Sequence, residues 1–253
     1  MKIFEKTPFL KKNVDDDVFI TPHLLESENN PCIIVCPGGG YEGLAGHEEY
    51  FELFNKMGLS VFVLHYRTHG YSYPCQYLDV TRAVRFVRYN AKKFNINPDK
   101  ILIAGSSAGG HLAATAWCFG DDGLDDGDEI DKVSSKVNGV ILCYPVISLL
   151  EHTHQGSSDN FSGNDDKIRE KFSIQKCIKK GLSPVFLWHT TTDQAVDVEN
   201  SLMVVEACHN SEVSAELHVF PIGWHGMGEA KDYPHINQWT TLCENWLKLN
   251  KFI

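Results

Sequence analysis

Ten residues, Ile101 to Gly110, restrict this chain's fold more than any others. Ile101-Leu102-Ile103-Ala104 is a short apolar run and reads as a buried strand. Gly105-Ser106-Ser107-Ala108-Gly109 follows, a Gly-x-Ser-x-Gly sequence centred on Ser107. His111 to Trp117 is apolar and helix-forming. A serine between a strand and a helix, with glycine two residues to either side, is the setting of a nucleophile elbow. The reason is steric. The serine sits on a strained turn at the top of a sheet, and only residues without Cβ let strand and helix close up around it. The following helix aims its N-terminal N–H groups at the serine.

The rest of the chain alternates strands and helices. Apolar runs at Cys32–Cys36, Val61–Leu64, Val140–Tyr144 and Val185–Trp188 read as strands buried on both faces. Val18–Ile20 reads as a short edge strand, and Ala215–Phe220 as a less regular strand. Helical spacing appears at 48–57, 76–94, 198–209 and 236–249, with Gly58 closing the first and Asn97-Pro98-Asp99 a turn before Ile101. The predicted class is α/β, a mostly parallel sheet with helices on both faces. At 253 residues, one domain over 1–253 is expected. The polar stretch at about 148–183 breaks the rhythm and reads as a cap-like insertion over the sheet's carboxyl edge, where such folds bind ligands.

Composition narrows the function. The chain carries 33 acidic against 23 basic side chains, a net charge of −10, and has no basic cluster, so no nucleic-acid partner is expected. No run of 18 apolar residues suggests a membrane span, and residues 1–17 have no apolar signal core, so a cytoplasmic protein is expected. The eight cysteines include no C-x-x-C pair. Cys32 and Cys36 would lie roughly 13 Å apart along a strand, too far for a disulfide. Reduced, mostly buried thiols are expected.

A serine hydroxyl needs a base. Twelve histidines compete for that role. His225, in the loop past the last strand, stands where the order nucleophile, acid, histidine puts the base. His111 sits on the elbow helix and cannot swing onto Oγ, His218 lies inside a strand, and His189 ends one. The acid should follow Val185–Trp188. Asp193 is nearest the strand end, whereas Asp197 fits better as the cap of the next helix. The oxyanion donors expected are the N–H groups of Ala108, Gly39 and Gly40. The glycine loop lacks a following Lys-Ser/Thr and the G-x-G-x-x-G phase, which argues against a phosphate cradle. Tyr41 and Trp224, beside that loop and His225, are the expected substrate contacts. No metal-ligand spacing appears near Ser107, and neither metal nor cofactor is expected.

Together these residues resemble the α/β-hydrolase superfamily, and more narrowly its small bacterial esterases, acetyl-xylan and feruloyl esterase-like, near the hormone-sensitive-lipase group. The likeness runs from about Cys32 to Gly228. It is carried by Pro37-Gly38-Gly39-Gly40-Tyr41, Val63-Leu64-His65-Tyr66-Arg67, Asp79 with Arg82 and Arg85, and Ser107-Ala108-Gly109-Gly110-His111-Leu112. Phe186-Leu187-Trp188-His189-Thr190 with Asp193, Val198-Glu199-Asn200-Ser201, His218-Val219-Phe220-Pro221 and His225-Gly226 complete it; His154-Gln155-Gly156-Ser157-Ser158 is also family-like. Two positions depart from the pattern: Pro37 replaces a histidine, and Ser106 a Phe or Glu. The resemblance implies a serine carboxylesterase that removes short acyl groups, acetyl on plant-type sugars above all, from a small-molecule ester. The rival readings are a peptidase of prolyl-oligopeptidase type, for whose propeller this length leaves no room, and a non-catalytic hydrolase-fold binding module. The oligomeric state is not readable from the sequence.

Overall fold

A computed structural model describes residues 1–11, 17–46 and 48–253. Seven strands form one sheet in the order β1-β3-β2-β4-β5-β6-β7. These are β1 Phe19–His23, β2 Asn30–Cys36, β3 Ser60–His65, β4 Ile96–Ser106, β5 Gly139–Cys143, β6 Val185–Thr190 and β7 Ala215–Phe220. Only β1, at one edge, is antiparallel to its neighbour. The other pairs are parallel. The helices are α1 Glu48–Lys56, α2 Cys75–Tyr89, α3 Ala108–Phe119, α4 Gln155–Ser162, α5 Asp166–Lys171, α6 Glu199–Asn210 and α7 Pro234–Leu249.

Strand periodicity sorts the core into two layers. Ile34, Ile103, Leu142 and Leu187 face one way, into a cluster with Val84, Leu112 and Val204 of α2, α3 and α6. Ile33, Leu102, Ile141 and Phe186 face the other, against Phe54 of α1 and Trp239 and Trp246 of α7. Successive strand residues point to opposite faces, so continuous apolar runs can satisfy both layers at once. The carboxyl ends of β2, β4, β5, β6 and β7 therefore share one edge.

The structure departs from the sequence reading in two places. Helix α2 stops at Tyr89 rather than reaching Phe94, because Asn90 ends it and donates from Nδ2 to the Phe86 carbonyl at 2.8 Å. The Asn97-Pro98-Asp99 turn lies within β4: pairing with β2 jumps from Asn30↔Ile96 to Cys32↔Ile101. Pro98 has no N–H for a ladder, and Asn97 Oδ1 accepts from the Asp99 amide at 2.9 Å. The acidic loop after α3 is pinned to α2. Buried Arg82 reaches Asp128 and Asp131, and Arg85 reaches Asp121.

Residues 148–183 are stitched into the body. Phe161 and Phe172 are fully buried in the α2–α3 layer. Asn200 Oδ1 accepts from the amides of Ile147 and Ser148 at 2.9 and 3.1 Å, and Ser158 Oγ donates to the Leu149 carbonyl at 2.8 Å.

The close approach of β4 and α3 depends on two glycines. A Cβ on Gly105 would stand 2.0 Å from the Gly109 carbonyl oxygen, and one on Gly109 2.1 Å from that of Cys36. Both obstacles are backbone, so no rotamer change relieves them. Gly109→Ala should destabilise by at least the roughly 3 kcal/mol at the upper end of ordinary overpacking, and urea unfolding checks this.

Candidate active site

Ser107 joins β4 to α3 with φ 55° and ψ −124°. A serine in this left-handed region costs of order 1–3 kcal/mol unless its surroundings hold it. Here they do. The Ser107 amide donates to the Cys143 carbonyl at 3.1 Å, and its carbonyl accepts from Gly110 and Val146, both at 3.0 Å. The strained turn thus lies between β5 and the first turn of α3.

The loops after β6 and β7 bring two groups to this serine. His225 Nε2 lies 2.8 Å from Ser107 Oγ, and His225 Nδ1 lies 2.8 Å from Asp193 Oδ2. Tyr144 sets its ring edge-on to the imidazole, 5.1 Å between centroids. The Asp193 side chain is only 1% exposed. Burial alone would raise its pKa, but hydrogen bonds from His189, His225 and the Val196 amide outweigh that and hold the carboxyl well below the usual range. Its Oδ1 accepts from the amides of Ala195 and Val196 at 2.9 and 3.0 Å. A carboxylate in this position fixes which nitrogen of His225 carries the proton and stabilises the imidazolium.

The other candidates stand elsewhere. His189 lies behind Asp193, 3.5 Å from Oδ2, with its nitrogens on Ser201 Oγ and the Val196 carbonyl. Asp197 Oδ1 accepts from the Glu199 amide at 3.2 Å, a capping contact at α6, and its Oδ2 meets His152 at 3.0 Å. His218 pairs with Glu216. His111 is fully buried, and desolvation pushes its pKa down to about 4. Its Nε2 faces the Phe172 carbonyl, which can only accept, so Nδ1 must accept from the Tyr41 hydroxyl at 2.8 Å.

The glycine loop runs through three consecutive left-handed residues, Gly39 (φ 112°), Gly40 (65°) and Tyr41 (61°). Gly39 must be glycine, since its Cβ would stand 2.4 Å from the Gly43 carbonyl oxygen. The loop is braced without the histidine that Pro37 replaces. Tyr66 donates to the Pro37 carbonyl at 2.6 Å, Gly38 and Ala45 exchange two backbone bonds, and Asn160 Nδ2 donates to the Gly40 carbonyl at 3.0 Å. Among the described residues, no backbone carbonyl accepts from the Gly39 or Gly40 amide. Ala108, first residue of α3, has no intrahelical acceptor for its N–H.

Gly39, Gly40, Ser107 and His225 line one cavity of about 530 Å³. Tyr41 does not, contrary to expectation. Its left-handed backbone turns the ring inward, where it is fully buried against Phe161 and bonded to His111. Trp224 also lies outside this cavity: it is 53% exposed and meets Tyr233 edge-on. The sequence reading missed Tyr144, His154 and Asn160, which do line the cavity. The only signal for His154 was its family-like surroundings, because nothing local in sequence tells that α4 folds back over the glycine loop.

The Tyr41 hydroxyl couples the glycine loop to the elbow helix. Tyr41→Phe would leave His111 Nδ1 buried without a donor. That costs about 1–3 kcal/mol, and kcat should fall more than KM changes as the loop loses its anchor. Denaturant unfolding and steady-state kinetics on one preparation measure both.

Known proteins share this arrangement of sequence and fold. A family model described as BD-FAE matches residues 17–207. The chain is 38% identical over 212 residues to endo-1,4-beta-xylanase B of Butyrivibrio fibrisolvens, covering 79% of this chain and 33% of that protein. It is 32% identical over 235 residues to an acetylxylan esterase of Xylanibacter ruminicola, covering 89% and 47%. The chain thus spans about a third to a half of the length of these curated relatives. The crystal structure of an acetyl ester-xyloside bifunctional hydrolase from Caldicellulosiruptor lactoaceticus superposes with a TM-score of 0.98 at 40% identity, covering 100% of this chain and 96% of that one. With its parallel sheet, strand-to-helix serine turn and matching family model, the chain has the α/β-hydrolase fold and belongs to the BD-FAE family.

Proposed function

We propose that this protein is a serine carboxylesterase that removes short acyl groups, acetyl above all, from sugars or oligosaccharides. The observation that carries the reading is the line Asp193–His225–Ser107, with both separations 2.8 Å, opening into a cavity lined by Gly39 and Gly40, whose amides donate to no backbone carbonyl among the described residues. His225 Nε2 takes the Ser107 proton as Oγ attacks the acyl carbon. The carbonyl electron pair moves onto oxygen, where the N–H groups of Gly39, Gly40 and Ala108 stabilise it. The tetrahedral adduct collapses, the sugar oxygen leaves with the proton from His225, and the acyl group stays on Ser107. Water then repeats the attack with His225 as base, releasing the acid and restoring the serine. The sugar ester as substrate is supported by the likeness to an acetylxylan esterase and an acetyl ester-xyloside hydrolase.

In this reading residues 148–183 act as a cap, since His154, Gly156 and Asn160 wall the cavity from that side. Trp224, exposed beside His225, offers its ring to a sugar unit beyond the cavity. The cytoplasm is the compartment we assign, on the ground that all eight cysteines are free thiols. Among the described residues no helix is long and apolar enough to cross a membrane.

Rates on acetylated xylo-oligosaccharides beside p-nitrophenyl esters of increasing chain length test the substrate class. Acetyl should be preferred, and a preference for long chains would exclude the reading. Ser107→Ala should fold normally and lose several orders of magnitude in turnover. Asp193→Asn should lower kcat by about 10⁴-fold. Asp197→Ala should instead cost about 1 kcal/mol of stability and little turnover. Loss of turnover in the Asp197 variant with an active Asp193 variant would reverse the assignment.

A further inference from the structure

We propose that His154 sets specificity for the alcohol half of the substrate, its Nε2–H donating to an oxygen of the sugar that carries the ester. The inference rests on the acetyl-sugar reading above and deepens it.

The proton position follows from the local fold. His154 is the N-cap of α4, and its Nδ1 accepts from the Ser157 amide at 3.2 Å. An amide can only donate, so Nδ1 carries no proton and the neutral ring holds it on Nε2. Ser157 Oγ, 2.9 Å away and fully buried, can donate to the same nitrogen and so fits this tautomer. Burial and the nearby His225 both lower the His154 pKa, which keeps the ring neutral. The imidazole lines the cavity that holds Ser107 and His225, and no described residue takes the Nε2 proton. The ring is also fixed from one side, since Nδ1 meets both the Ser157 amide and the Ser157 hydroxyl, and it lies beside Gly40 and Gly156.

The mechanism leaves this donor without a task. The oxyanion has three backbone amides, and the leaving oxygen receives its proton from His225. The same cavity is lined by Glu42 and Asn160, whose side chains stand 3.5 Å apart. An N–H donor that shares a cavity with a carboxylate acceptor suits a ligand group that both accepts and donates. Sugar hydroxyls adjacent to the ester are such groups, whereas an aryl alcohol has nothing to offer them. A site built to hydrogen-bond hydroxyls discriminates strongly against analogues that lack them.

The test is the ratio of kcat/KM on acetylated xylobiose to that on p-nitrophenyl acetate, for wild type and two variants. His154→Asn keeps an N-cap acceptor for α4 but is too short to present a donor to the cavity. His154→Leu keeps bulk and removes both functions. In each the ratio should fall about tenfold, mostly through KM on the sugar ester, and thermal melts on the same samples identify loss of fold. Equal losses on both substrates in His154→Asn would overturn the proposal and make His154 an oxyanion donor or a brace. An unchanged ratio would overturn it as well. A wild type inert toward acetylated xylobiose but active on p-nitrophenyl acetate would instead overturn the acetyl-sugar reading, and the inference with it.

Discussion

The left-handed turn at Ser107 is the constraint on which the rest of this structure depends. A serine does not rest at φ 55° unaided. It is held because Gly105 and Gly109 allow β4, α3 and the end of β2 to meet at backbone distance. That meeting lifts Oγ above the sheet edge and puts the Ala108 amide beside it. It also brings the glycine loop after β2 alongside, since Gly109 packs on the carbonyls of Cys36 and Pro37. The proposed nucleophile and the proposed oxyanion donors are therefore placed by one packing event. Parallel pairing of β5, β6 and β7 then delivers Tyr144, Asp193 and His225 to the same edge.

Environment divides the labour among the histidines. His225 touches the carboxylate on one side and the serine on the other. His111 is sealed in the core, neutral, and carries a directional chain from the Tyr41 hydroxyl to the Phe172 carbonyl. His189 is equally buried and backs Asp193. His154 reaches the cavity with its Nδ1 already committed to α4. Four imidazoles within one small region thus hold four different sets of partners. The chemistry of each follows from those partners rather than from the residue type.

Much of this was legible in the sequence because its causes are local. Apolar runs of four or five residues encode strands buried on both faces, and the glycine spacing around Ser107 encodes the turn. His225 and Asp193 could be singled out because they follow strands in chain order, and the structure brings both to Ser107. What was not legible depends on pairing across the chain. The break of α2 at Asn90 and the bulge at Pro98 are decided by capping and by a missing N–H, against an otherwise continuous helical pattern. Tyr41 was expected to face the substrate, but its positive φ sends the ring into the core, and no neighbouring residue signals that. The folding of α4 over the glycine loop, which makes His154 and Asn160 cavity residues, rests on Phe161 and Phe172 burying themselves against α2 and α3. Those contacts join positions tens of residues apart.

The central claim is that Ser107 is the nucleophile and is activated where it stands. Treating the protein with a fluorophosphonate, then mapping peptides by mass spectrometry, tests it most directly, because only an activated hydroxyl attacks phosphorus rapidly. The account predicts one adduct, on Ser107, formed in step with loss of esterase activity. An adduct on Ser106 or Ser157, or full activity with Ser107 unmodified, would contradict it.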